Sequence, residues 1–340
     1  MYTDFYGLRE LPFNLTPDPK FLYFSASHQE ALAQMAFGVN MKRGFVVITG
    51  EVGTGKTTLI HALLEQLDVN TQTAYLYHAI LGAKGLFQFI CREFGISFTG
   101  QETKNQLIVK LSNYLISTYN SGGNAVLIID EAQNLKPHIL EEIRLISNSE
   151  TIHNKLIQIL FVGQPEFGKI LDRKEIRQLK QRVALRYHLS RLSRSETEEY
   201  INHRLKVAGY IFSDPIFSPE AMDEIYAYTH GTPRAINILC DNALIMGYSM
   251  EARQITPEII KKVQFEDVYQ EMETIKKSSV SEIEIKTIEP NVPVREAGPQ
   301  TGHLLNDDFN TNEKDDLSLL KRIRNKLFIF KRKKYRTTVN

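Results

Sequence analysis

The 340-residue sequence contains no tryptophan and only two cysteines. Cys91 and Cys240 lie far apart, and neither belongs to a Cys-x-x-Cys pair. That excludes a disulfide scaffold and a cysteine-rich zinc site, and it suits a reducing compartment. The nine histidines are scattered, with no His-Glu-x-x-His and no pair at helical ligand spacing. Metalloprotease chemistry is therefore not expected. No apolar run reaches the roughly 18 residues that a membrane-spanning helix needs. The N-terminus, Met1-Tyr2-Thr3-Asp4, lacks the basic and then apolar stretches of a secretory signal. Together these absences predict a cytoplasmic protein.

What is present is ordinary for a folded chain. Hydrophobic residues make up 42% and charged residues 24%, which excludes a wholly disordered or collagen-like polymer. The length predicts two folded domains with residues to spare. The formal net charge of +1 hides an asymmetry. Residues 321–336 hold nine of the 41 basic residues and no acid, so the rest of the chain sums to −8. An acidic body with a basic tail confines any attraction for phosphate backbones to one end.

The first 190 residues alternate strand-like and helix-like patterns. Apolar runs at Phe45–Thr49, Thr73–Tyr77, Ala125–Ile129, Ile157–Val162 and Ala184–Leu189 predict strands. Near-continuous apolar runs are typical of parallel strands covered on both faces. Helical patterns lie between them, for example Lys56–Leu67 and Lys104–Tyr119. The alternation implies βαβ units and a doubly wound parallel sheet. From Ser193 to about Asp267 the strand signal stops. Ser193 with Ser195 and Glu196, Ser218-Pro219-Glu220 and Thr256-Pro257-Glu258 are helix starts, two of them with Pro at the first helical position. The expected organisation is a core with an N-terminal extension over 1–190, a small helical domain over 191–268, a flexible Pro/Gly-containing linker over 269–316 and a basic amphipathic tail over 317–340.

Two motifs carry chemistry. Gly50-Glu51-Val52-Gly53-Thr54-Gly55-Lys56-Thr57, with Thr58 next, fits G-x-x-x-x-G-K-[ST] at every position and sits between a predicted strand and a predicted helix. Gly53 and Gly55 let backbone N–H groups curl around phosphate oxygens, and the helix N-terminus adds positive partial charge. Lys56 would reach the β- and γ-phosphates, and the Thr57 hydroxyl would ligate Mg²⁺. The second motif, Ala125-Val126-Leu127-Ile128-Ile129-Asp130-Glu131, is an apolar strand ending in two acids. Asp130 would hold Mg²⁺ through its water shell, and Glu131 would polarise the attacking water as general base. The plainer reading is an acidic pair that merely ends a strand.

With these motifs the sequence resembles an AAA+ ATPase: a three-layer α/β P-loop core followed by a small all-α lid. More narrowly, it is similar to the general secretion pathway protein A family and its relatives beside transposition and exopolysaccharide genes. The resembling stretches are FYGLRELPFNLTPDPKFLYFSASHQEAL, GFVVITGEVGTGKTTL, LIIDEAQNL, ILFVGQPEF, LKQRVALRYHLSRL and GTPRAINILCDNAL. The resemblance implies that Gln164 occupies a sensor position near the γ-phosphate; the alternative is a turn residue before Pro165. It implies that Arg182, with Arg177 and Arg186 as rivals, is an arginine finger reaching a neighbouring subunit's nucleotide; the alternative is a solvated arginine. It implies that Arg234 is the lid's own sensor over the γ-phosphate; the alternative is an arginine near a helix start with no ligand. The N-terminal block, with Phe13, Phe21, Tyr23 and Phe24, is expected to be an extended segment packed on the core, either near the adenine or as a hydrophobic brace. The secretion relatives continue into a membrane span and a peptidoglycan-binding part that this sequence lacks. The resemblance therefore leans toward shorter ATPases of exopolysaccharide or exosortase loci.

The expected function is ATP hydrolysis with Mg²⁺ in a homo-oligomer, acting on a protein partner in a membrane-associated export or polysaccharide system. Adenine rather than guanine rests on the resemblance, since no Asn-Lys-x-Asp is present. Leu327, Phe328, Ile329 and Phe330 within the basic tail suit an anionic membrane surface. A solubilising tail or a nucleic-acid contact would use the same charges. Two alternatives belong to other classes: a DNA-associated transposition-type regulator, and a nucleotide-dependent scaffold with little turnover.

Overall fold

The computed structural model describes residues 2–16, 18–77, 82–148 and 155–265. The expected linker, the basic tail and residues 266–268 of the expected helical domain lie outside the described residues. Among those described, no helix is long and apolar enough to cross a membrane.

The chain opens with a short helix, α1 (Tyr2–Tyr6), and then α2 (Ala26–Asn40) leads into the first strand, β1 (Phe45–Gly50). There follow α3 (Lys56–Gln66), β2 (Thr71–Leu76), α4 (Ala83–Glu93), α5 (Lys104–Asn120), β3 (Asn124–Ile129), α6 (Pro137–Ile146), β4 (Gln158–Gly163), α7 (Pro165–Leu171), α8 (Arg177–Lys180) and β5 (Val183–Leu189). The five strands form one sheet in the order β2-β3-β4-β1-β5, with every neighbouring pair parallel. All five predicted strands are present. β2 starts two residues early because Thr71 and Gln72 pair with Asn124 and Ala125. It is an edge strand, so its first residues stay partly exposed and need no apolar side chain.

Strand alternation sorts the apolar residues into two layers. Phe45, Val47, Leu127, Ile129, Ile159 and Phe161 point to one face and pack with residues of α4, α5 and α6. Val46, Ile48, Val126, Ile128, Leu160 and Val162 point to the other and pack with α2 and α3. Burial on both faces explains why the three central strands read as unbroken apolar runs. At the β5 edge only one face is covered: Leu185 and Tyr187 pack toward α2, while Ala184, Arg186 and His188 are exposed.

After β5 come α9 (Arg194–Val207), α10 (Pro219–Thr229), α11 (Pro233–Ser249) and a helical stretch over 257–265. Ser193 and Glu196 make a complete capping box on α9, and Ser218 caps α10. These helices share a third apolar cluster that includes Leu192, Ile201, Leu205, Ile225, Ile236 and Leu244.

The N-terminal block meets its expectation only in part. Phe24 packs against the sheet cluster, whereas Tyr2, Tyr6, Leu8, Phe13 and Phe21 are buried in this helical cluster, with Tyr23 against it. Each short amphipathic helix buries only one stripe, and the N-terminal aromatics supply the remaining apolar area. The buried Arg204 of α9 ties the segment down. Its Nε donates to the Pro12 carbonyl at 2.5 Å, Nη2 to the Asn14 carbonyl at 3.3 Å and Nη1 to the Tyr200 hydroxyl at 2.8 Å. The Phe21 ring faces its guanidinium at 4.9 Å.

Candidate nucleotide site

β1 ends at Gly50, and α3 begins at Lys56. The chain between them reverses through Gly53 (φ 77°) and Gly55 (φ 94°), in the left-handed region that side chains disfavour. Gly53 also has no room for a side chain, since a Cβ there would lie 2.7 Å from Cβ of Arg234. Thr54 is fully buried, and its hydroxyl donates to the Glu51 carbonyl at 2.9 Å. Val52 is exposed. Lys56 is buried, and its Nζ donates to the carbonyls of Gly50 and Glu51, each at 2.9 Å. Burial pushes the Lys56 ammonium below its ordinary value, while Glu131, Asp130, Glu51 and Glu166 push it back up. The pull of these carboxylates favours the cation that a phosphate would need.

β3 delivers the acids to the same place. The Thr57 hydroxyl donates to Asp130 Oδ2 at 2.9 Å, and the Tyr75 hydroxyl of β2 donates to the same oxygen at 3.2 Å. Asp130 Oδ1 accepts the Glu131 backbone N–H at 2.8 Å. Hydroxyl and carboxylate oxygens in contact are hard donors of the kind Mg²⁺ takes, alongside water and phosphate. The Glu131 carboxylate takes amide N–H groups from Gln133 and from Gln164, the latter at 3.3 Å. Gln164 stands at the N-terminal boundary of α7, immediately after β4.

The helical region touches the cradle directly. The Arg234 backbone N–H, in the first turn of α11, donates to the Gly53 carbonyl at 3.2 Å, and the Arg234 side chain is exposed. Thr58 lies in the first turn of α3. Arg182 stands apart from this group. It precedes β5 beside Phe45, at the end of the sheet opposite Gly50, roughly 20 Å from the P-loop along six strand residues. Its guanidinium donates to Ser147 Oγ at 3.0 Å and to Asn148 Oδ1. Arg177 and Arg186 are exposed.

Three further residues at the site have no role assigned from the sequence. His28 of α2 is buried beneath the P-loop, with Nε2 2.9 Å from the Thr54 carbonyl and Nδ1 2.7 Å from Ser25 Oγ. A carbonyl only accepts, so Nε2 bears the hydrogen and Nδ1 accepts from Ser25. Burial keeps this imidazole below its ordinary value. Tyr75, whose hydroxyl is pushed far up by burial and by Asp130, and Gln133 are the other two. His28 and Tyr75 depend on contacts between separate elements, and Gln133 on one of each kind, to Glu131 within its own turn and to Gln164 after β4. The Ser25–His28 spacing, which also caps α2, and the Glu131–Gln133 spacing are local patterns.

Comparison with known proteins agrees with this architecture. Residues 39–171 match the family model of an AAA domain. Over 255 residues, 75% of its length, the chain is 41% identical to general secretion pathway protein A of Aeromonas hydrophila. It spans about half (46%) of that protein's length. Among solved structures it is similar to Cdc6p from Pyrobaculum aerophilum, with a TM-score of 0.57, 18% identity and coverage of 75% of this chain and 70% of that one. It is also similar to the ORC2 protein of Aeropyrum pernix, with a TM-score of 0.55, 16% identity and coverage of 74% and 70%. At such identities these two likenesses speak for the fold alone. The fold is that of P-loop AAA proteins, and within it residues 39–171 carry an AAA domain similar to that of general secretion pathway protein A.

Proposed function

We propose that the chain binds Mg-ATP against the cradle Gly50–Thr58 and hydrolyses it. The observation that carries this reading is the meeting of Thr57, Asp130 and Glu131 beside the buried Lys56. The Gly53–Gly55 turn and the α3 N-terminus hold the phosphates, and Lys56 neutralises them. Thr57 and Asp130 would hold Mg²⁺, which when bound offsets charge on the phosphate oxygens. Glu131 orients and deprotonates the attacking water. Gln164, whose amide touches that carboxylate, would report the γ-phosphate. Arg234 acts from the helical region, which serves as a lid over the nucleotide.

Arg182 is too far from its own P-loop to act there. The reading therefore assigns it to the nucleotide of an adjacent copy in a homo-oligomer, where it stabilises charge in the transition state. The likeness to a secretion-pathway protein supports a membrane-associated export or polysaccharide-assembly system as the setting, with a protein partner that responds to lid motion. The basic tail would bind the anionic cytoplasmic face of the inner membrane, each cation contributing about 1 kcal/mol. Sedimentation with anionic liposomes tests that part: a chain ending at Asp316 should stay in solution.

The decisive experiment compares Glu131→Gln with Lys56→Ala. The first should bind a fluorescent ATP analogue normally and release phosphate at least a hundredfold more slowly. The second should fail to bind. Wild-type turnover in either variant removes the assignment. Pull-down with Glu131→Gln in ATP would identify the partner and the assembly state.

A further inference from the structure

Glu131 sits just past β3 with φ 50° and ψ 41°, left-handed values that a glutamate holds only when its surroundings fix it there. The backbone bond to Asp130 accounts for the main chain. The side chain is held by Gln133, in the 3₁₀ turn Ala132–Asn134, and more loosely by the Gln164 amide at 3.3 Å. The Gln133 Nε2 donates to Glu131 Oε2, while the Gln133 Oε1 accepts the backbone N–H of Gln164 at 2.9 Å. The second bond fixes the amide's orientation: a backbone N–H only donates, so the oxygen faces β4 and the NH₂ faces the carboxylate. The end of β4 admits this amide because residue 163 is glycine. A Cβ there would lie 2.8 Å from Gln133 Oε1.

From this geometry we propose that Gln133 is the positioning residue for Glu131: an amide strut that sets the carboxylate against the end of β4. The proposal rests on the ATPase reading, in which Glu131 is the general base. Both ends of the strut are engaged, so the carboxylate cannot swing without losing its bond to an amide that is itself anchored on the Gln164 backbone N–H. Asparagine is one methylene too short to span the two partners. Glutamate has the length but replaces the donor with a second negative charge. Leucine has similar bulk and neither polar atom. A simple turn-stabilising role would make all three substitutions act on folding alone.

The experiment uses the full-length protein with Gln133→Leu, Gln133→Asn and Gln133→Glu, each also in the Glu131→Gln background. Steady-state phosphate release, binding of a fluorescent ATP analogue and thermal midpoint are measured on each. The expected result is kcat lowered ten- to a hundredfold in Gln133→Leu and Gln133→Asn, and further in Gln133→Glu, the loss of a hydrogen bond to a charged group. Nucleotide affinity should stay within about twofold, as for an interaction that acts on the base and not on the phosphates. In the Glu131→Gln background the same changes should have little further effect, since the base they serve is already gone. Unchanged kcat in Gln133→Leu and Gln133→Asn overturns the proposal. So does a loss of kcat that only follows a loss of affinity or of thermal midpoint. If the wild type itself binds ATP without releasing phosphate, the hydrolytic reading has failed and the strut with it. If the wild type turns over and the Gln133 variants match it, only the strut has failed.

Discussion

Thr57 and Asp130, 73 positions apart in the chain, are joined by one hydrogen bond of 2.9 Å from the threonine hydroxyl to Oδ2. β1 and β3 do not pair with each other. They are separated by β4, so the contact exists only because the parallel sheet brings the C-terminal ends of both strands to the same side. Tyr75 adds a second hydroxyl to the same oxygen. Asp130→Asn should therefore raise the Mg²⁺ concentration needed for half-maximal phosphate release by at least tenfold. Tyr75→Phe, which removes one neutral donor, should raise it about two- to tenfold. A magnesium titration of both variants checks the order. An unshifted Tyr75→Phe would leave the tyrosine a packing residue.

His28 gives the protein a pH dependence. The folded state holds it neutral below its ordinary value of 6.5, so the unfolded chain takes up the proton first as pH falls. Stability from this group is complete above about pH 6.5 and is lost progressively below it. The Thr54 carbonyl, bonded to Nε2–H, and the negative Glu196 partly favour the cation and narrow the window. His28→Gln should unfold at lower denaturant than wild type at pH 8, and the gap should shrink toward pH 5. Urea midpoints across that range decide it; a constant gap would show that His28 does not titrate in this way.

Arg204 should govern the N-terminal segment. Arg204→Met keeps part of the apolar stem but abandons the carbonyls of Pro12 and Asn14 and the Tyr200 hydroxyl. Leaving such groups without their donor should cost about 3 kcal/mol. Limited proteolysis should then cut first within residues 2–16. Protection equal to wild type would mean that Phe13 and Phe21 hold the segment without the arginine.

Arg182 should act between subunits. Arg182→Ala alone and Lys56→Ala alone should each lose most activity, the former by about a thousandfold. Mixed oligomers should regain some, because a Lys56→Ala copy still offers its arginine to an intact P-loop next door. No recovery on mixing, with oligomers still formed, would remove Arg182 from that role and turn attention to Arg177 and Arg186.

The parts legible in the sequence were those written into consecutive residues. The run Gly50–Thr57 specifies a strand end, a glycine turn and a helix start within eight positions. The acids Asp130 and Glu131 announce themselves by ending an apolar strand, and Ser193 with Glu196 forms a local cap. The N-terminal aromatics were legible as buried but not as to where. Phe13 and Phe21 suit any apolar surface, and the sheet core and the helical cluster both offer one. Contacts with distant residues distinguish them, such as Arg204 with the Pro12 and Asn14 carbonyls and Phe217 with Phe13.

By itself the sequence determined the parallel strands, the glycine cradle and the acid pair, because dihedral preference, apolar periodicity and backbone hydrogen bonding act over a few neighbouring residues. Tertiary structure alone decided that Tyr75 meets Asp130, that His28 lies under Thr54, that Gln133 spans from Glu131 to the end of β4, and that Arg182 lies at the end of the sheet opposite its own P-loop. The physical reason is geometric. Hydrogen bonds require contact within a few tenths of an ångström, and strand order, which no local preference encodes, sets which distant residues come that close.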